Sequence, residues 1–229
     1  LGASPSIKGG SDRQRKAWTM KGSIIRDMPS YGRYLGGRGG LEIGFPWLAL
    51  GAIVALEQCI FNADATNDVP KRVLEFGSGG STIFFAKRAE YVRSIECDKG
   101  WAPRTQDALV RHGVADKVEL TACTNAESEV IVAALPDRSF DLLLVDHSAD
   151  ETVVGRGARR SFSRKPLALI GMKKLCANGF LVIDNYSMHG CENIDLTGWD
   201  TFLFDDLRYS GRGTLLARRT EAGRILRKR

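Results

Sequence analysis

The chain lacks several signatures that would have classified it at once. Its five cysteines, Cys59, Cys97, Cys123, Cys176 and Cys191, include no Cys-x-x-Cys pair. An odd set without that spacing argues against a zinc ribbon or a disulfide framework, and reads as reduced thiols of an intracellular, cytoplasmic protein. No G-x-x-x-x-G-K-[ST] string occurs, which excludes the usual phosphate-cradling P-loop. No run of about 18 or more apolar residues is present, and no signal peptide is recognised, so a membrane span is not expected. Internal repeats are also missing. The first residue is Leu1 rather than Met, as in a trimmed chain or a piece of a longer one.

What remains is ordinary for one α/β domain with an extension: 229 residues, 43% hydrophobic and 26% charged. Residues 1–40 are basic and glycine-rich without a sustained period, and read as a flexible N-terminal extension. Residues 41–229 form the expected domain. The net charge of +6 permits anionic partners without requiring them.

The most telling stretch is Val73-Leu-Glu-Phe-Gly-Ser-Gly-Gly-Ser-Thr82. Val73–Phe76 reads as a buried strand, Gly77–Gly80 as a turn, and Ser81–Arg88 as a helix. Strand, glycine turn and helix together aim backbone N–H groups at a ligand. A dinucleotide fingerprint wants a third glycine where Thr82 stands. Glu75, just before the turn, would repel a pyrophosphate and welcome an ammonium. Glu96, 21 positions further on, ends the next apolar run, where a carboxylate accepts ribose hydroxyls.

The alternation then continues. Strands are expected at Tyr91–Glu96, Lys117–Ala122, Phe140–Asp146 and Phe180–Asp184. Helices are expected at Trp47–Phe61 behind Pro46, Trp101–His112, Glu127–Leu135 and Pro166–Cys176. Thr201–Phe204 and Thr214–Ala217 read as a closing antiparallel pair. The tips of the fourth and fifth strands carry Asp146-His147 and Asp184-Asn185, on the edge where open α/β sheets bind ligands.

Val73–Ser81 with Glu96 resembles motif I and the following acidic position of class I S-adenosylmethionine-dependent methyltransferases. That resemblance implies a Rossmann-like α/β sheet, mostly parallel with a C-terminal antiparallel hairpin and helices on both faces. It implies S-adenosyl-L-methionine as cofactor, held by Glu75, Gly77, Ser78, Gly79 and Ser81, with Glu96 at the ribose. Cys97 and Asn125 would line the adenine slot, and Asp146 would face the sulfonium. Asn125 reads equally well as an ordinary helix cap.

Asp146 with Asp184-Asn185 further resembles the metal-dependent catechol-type and caffeoyl-coenzyme A-type O-methyltransferases. By that resemblance these three would ligate Mg2+, Asp146 would be catalytic, and His147 would pack near the adenine or, if it does not, be catalytic as the base. A closer but less informative resemblance is to uncharacterised bacterial and viral methyltransferases sharing the Pro-Trp helix. The catechol enzymes place a lysine base three residues after the strand-four Asp, where this chain has Ala149. Asp150, Glu151, His147 and, less readily, His189 are the available substitutes.

The expected reaction is O-methylation of a hydroxyl on a small molecule or glycan. The loop 147–165, with Arg156, Arg159, Arg160, Arg164 and Lys165, reads either as a solvated loop or as an electropositive clamp for an anionic acceptor. RNA ribose 2′-O-methylation stands second, supported by basic charge alone. A non-catalytic binding or scaffold module is the rival from another class, and a nicotinamide oxidoreductase is disfavoured by Glu75 and Thr82.

Overall fold

The computed structural model describes residues 39–61, 70–148, 163–204 and 213–219, apart from the Cys59 side chain. The N-terminal extension up to residue 38, the substitute bases Asp150 and Glu151, the loop arginines 156, 159 and 160, and the C-terminal tail lie outside the described residues.

A seven-stranded sheet organises the domain in the order β3-β2-β1-β4-β5-β7-β6. The first five strands are β1 (Arg72–Phe76), β2 (Tyr91–Glu96), β3 (Val118–Ala122), β4 (Phe140–Val145) and β5 (Leu175–Asp184). They run parallel to one another. β6 (Trp199–Phe204) and β7 (Thr214–Arg219) close the sheet, with β7 antiparallel to both β5 and β6. Val73, Leu74, Phe76 and Leu142–Val145 are wholly buried. Burial on both faces is what a near-continuous apolar run in a parallel strand predicts.

Helices cover both faces. α1 (Gly40–Ile43), α2 (Leu50–Ala55, continued as a π-helical turn over Leu56–Ile60), α3 (Gly80–Ala86) and α4 (Ala102–Arg111) pack on one side. α5 (Asn125–Ala134) and α6 (Lys165–Lys174) pack on the other. α2 starts later than its apolar pattern suggests. The Ala49 N–H donates to Thr214 Oγ1 at 2.9 Å, and Ala49 is extended (ψ 138°), so the helix begins at Leu50. The sixth helix ends before Cys176, because Leu175 already pairs with Phe140 across an irregular register. Ala177-Asn178-Gly179 therefore lies within β5 and is not a helix stop. The buried Lys174 ammonium donates to the Ala133 and Leu135 carbonyls and to Asp137, satisfying the C-terminal end of α5.

Candidate active site

β1 lies between β2 and β4, and the chain leaves it in opposite directions on its two sides. Such a reversal opens a crevice beyond the strand ends. Two backbone bonds shape it: Gly77 N–H donates to the Ile95 carbonyl and Asp146 N–H to the Phe76 carbonyl, each at 2.8 Å. Gly77 has φ +90°, and a Cβ there would lie 2.7 Å from the Asp146 carbonyl oxygen. Glycine is required on both counts. Gly80 is needed for another reason. A Cβ on it would lie 2.0 Å from the Phe45 carbonyl oxygen, so it admits the N-terminal segment against α3.

Glu75 is fully buried. Its Oε2 accepts from Thr82 Oγ1 at 2.6 Å and Ser94 Oγ at 2.7 Å. Thr82 Oγ1 in turn accepts the Gly79 N–H at 2.8 Å, tying the carboxylate to the glycine turn. Glu75 Oε1 has no hydrogen-bond partner. Burial raises the Glu75 pKa to about 7, against the pull of the Ser81, Thr82 and Ser94 hydroxyls. Ser81 is itself buried and acts on Glu75.

Glu96 is 3% exposed and binds the same turn. Its Oε2 accepts from Ser78 N–H and Ser78 Oγ, both at 2.7 Å, and its Oε1 accepts from Asp98 N–H at 2.8 Å. Burial raises its pKa, and the Asp98 and Ser78 hydrogen bonds oppose the rise. A carboxylate has about four lone-pair sites. With three taken, Glu96 has room for one further donor, and for a ribose diol only if the Ser78 hydroxyl turns away. Trp101, which sequence reasoning placed merely in a helix, donates its Nε1–H to the Ser78 carbonyl at 2.9 Å and braces the turn.

The β4 and β5 tips are organised by Arg164. Its buried guanidinium donates to the carbonyls of His147 (2.6 Å), Asp184 (2.9 Å) and Asp146 (3.3 Å). It also pairs with Asp146 Oδ1 at 3.2 Å. Burial raises the Asp146 pKa, Arg164 opposes the rise, and 27% of the side chain stays exposed. Asp184 Oδ1 accepts from Thr214 Oγ1 at 2.7 Å. Asn185 sits in the left-handed region (φ 48°) with its carbonyl taken by Met188 N–H.

The expected Mg2+ triad of Asp146, Asp184 and Asn185 therefore does not fit a divalent ion as it stands. Arg164 supplies the cation at Asp146, and Asp184 is engaged with β7. Among the described residues no group of three His, Cys, Asp or Glu side chains is arranged to hold a metal.

His147 is 2% exposed and meets Phe76 edge-on, with ring centroids 6.0 Å apart. Burial, with Arg164 and His189 nearby, lowers its pKa to about 3. A ring that stays neutral so far down is a weak proton acceptor. Asn125 occupies the first turn of α5 and donates from Nδ2 to the Ser148 carbonyl at 3.3 Å. Thr124 caps that helix in a reciprocal pair with Glu127. Cys97 lies beside Cys123, each directly following its paired strand end.

Glu75, Gly77, Ser78, Gly79, Ser81, Glu96, Asp146 and His147 thus gather at the ends of β1, β2 and β4. Arg164 was hidden among the arginines and lysines of its loop. The Thr82 bond to Gly79 had a sequence signal, a hydroxyl three residues after a turn glycine.

No protein-family profile and no curated protein matches this sequence. Solved structures do match. An O-methyltransferase from Bacillus cereus in complex with S-adenosylhomocysteine is 12% identical, covering 91% of this chain and 96% of its own, with a TM-score of 0.55. A protein of Staphylococcus aureus described as a candidate caffeoyl-CoA O-methyltransferase is 14% identical over 91% and 95%, at 0.57. A methyltransferase from Geobacter sulfurreducens is 17% identical over 94% and 100%, at 0.51. At such identities the likeness is one of fold. The chain has the Rossmann-like fold of class I S-adenosylmethionine-dependent methyltransferases.

Proposed function

We propose that this protein is an S-adenosylmethionine-dependent methyltransferase that methylates a hydroxyl of a small molecule or glycan without a resident divalent metal. The observation that carries the reading is the Glu75 carboxylate, buried at the glycine turn with Oε1 unpartnered. An unpaired buried acceptor is costly, and an ammonium donor would relieve it. S-adenosylmethionine has such a group and no phosphate, and when bound it supplies an activated methyl on a sulfonium.

The chain's own residues bind and orient. Glu75 and the turn at Gly77–Gly79 hold the amino-acid end, and Glu96 takes one ribose hydroxyl. Asp146, partly open at the strand tip, receives the acceptor's proton while Arg164 holds it in place. The O-methyltransferase neighbours support oxygen as the acceptor atom.

Calorimetric titration with S-adenosylhomocysteine tests the cofactor. One-site binding is expected, weakened about tenfold or more in Glu96→Ala, the loss of one charged hydrogen bond. Unchanged affinity in that variant would discard the ribose assignment, and no binding by the parent protein would discard the reading itself.

A further inference from the structure

Cys97 and Cys123 follow directly on β2 and β3. Those strands pair in parallel register up to Glu96 and Ala122, and Cys123 N–H still donates to the Glu96 carbonyl at 2.9 Å. The two cysteines are therefore lateral neighbours on the same face of the sheet. Adjacent strands lie about 4.8 Å apart, within the roughly 4.4–6.8 Å between Cα atoms that a disulfide spans. Both residues are reduced and buried, at 1% and 3% exposure.

Access comes from one side. Cys123 lines a cavity of about 380 Å³ with Lys99 and Glu127. The Cys97 hydrogen bond and the Lys99 charge lower the Cys123 pKa, while burial, Glu127 and Glu96 oppose them. Cys123 is thus the attacking thiol and Cys97 the resolving one.

We propose that Cys97 and Cys123 form a reversible dithiol–disulfide site, oxidised by hydrogen peroxide entering through the Lys99–Glu127 cavity. The Cys123 thiolate attacks one peroxide oxygen. The O–O bond breaks, the leaving hydroxide takes the thiol proton as water, and Cys123 becomes a sulfenic acid. Cys97 sulfur then attacks the Cys123 sulfur. The S–O bond breaks, a second water leaves with the Cys97 proton, and the S–S bond forms. Two thiols lose two electrons and one peroxide becomes two waters.

The site has a direct route to function. Cys97 lies between Glu96 and Asp98, whose N–H holds Glu96 Oε1. Drawing Cys97 towards Cys123 shifts the carboxylate that Ser78 and the ribose share. This consequence rests on the proposed cofactor reading, whereas the disulfide itself does not.

The full chain is treated with hydrogen peroxide, alkylated under denaturing conditions, digested with trypsin and analysed by mass spectrometry. We expect residues 94–99 and 118–138 as one linked pair lighter by two hydrogens, lost on reduction and not formed in Cys123→Ser. Separate, alkylated Cys97 and Cys123 peptides at a dose that oxidises the more exposed Cys176 would overturn the proposal. Oxidised parent protein should bind S-adenosylhomocysteine about tenfold more weakly, a typical coupling between sites, and recover with dithiothreitol. A linked pair with unchanged affinity rejects the coupling to the ligand site. If the reduced protein does not bind while the linked pair still forms, the cofactor reading fails and the redox site stands.

Discussion

Glu75 is a carboxyl kept from water, with the Thr82 and Ser94 hydroxyls both donating to the same oxygen. Its folded pKa of about 7 stands above the ordinary 4.5. A carboxyl raised in this way binds more protons folded than unfolded between those values, so its contribution to stability falls as pH rises from about 4.5 to 7 and levels off above. The full loss is about 3 kcal/mol. Glu75→Gln should flatten that segment of the stability–pH curve, measured by urea unfolding at several pH values. The parent protein should also bind S-adenosylhomocysteine more tightly as pH rises through 7, because an ammonium partner needs the ionised form, and the glutamine variant should lose this dependence. The positions of Glu75 and Glu96 beside the glycine turn were legible because both lie within one strand–turn–helix–strand stretch. The Glu96–Ser78 bonds were not, since a sequence does not show which lone pairs the protein itself will take.

Among the elements, the parallel strands and their helices follow the apolar pattern, and the departures have long-range causes. The Thr214 hydroxyl delays α2 from 165 residues away. Gly80 reads as part of the ligand turn, yet its missing side chain makes room for Phe45. Backbone cannot yield as a flexible side chain does, so Gly80→Ala must displace the Gly40–Phe45 segment. Overpacking of this kind costs roughly 1–3 kcal/mol, occasionally more. The expected result is a lower urea midpoint with α3 retained. An unchanged midpoint would show that the N-terminal segment is held more loosely than these contacts imply.

For the molecule as a whole, Arg164 joins the tips of two central strands through three carbonyls and one carboxylate. Two acidic strand tips and an asparagine suggested a metal centre from their residue types alone. What could not be read was that one arginine among several would fold back into their midst. Arg164→Gln should destabilise the protein by about 3–5 kcal/mol, as breaking a buried pair does. Chelation with EDTA or addition of Mg2+ should leave both the melting temperature and S-adenosylhomocysteine affinity of the parent protein unchanged. A magnesium-dependent rise in either would restore the metal centre.

The position of β7 also governs the order of assembly during synthesis. β6 is made first, but its neighbour in the sheet is β7, which also seals β5 and carries the hydroxyl that ties Asp184 to Ala49. A nascent chain that has released everything up to Phe204 therefore still presents an open β5 edge to the chaperones around the ribosome exit. The sheet, and with it one wall of the crevice, closes only when Thr214–Arg219 slides between two strands already made.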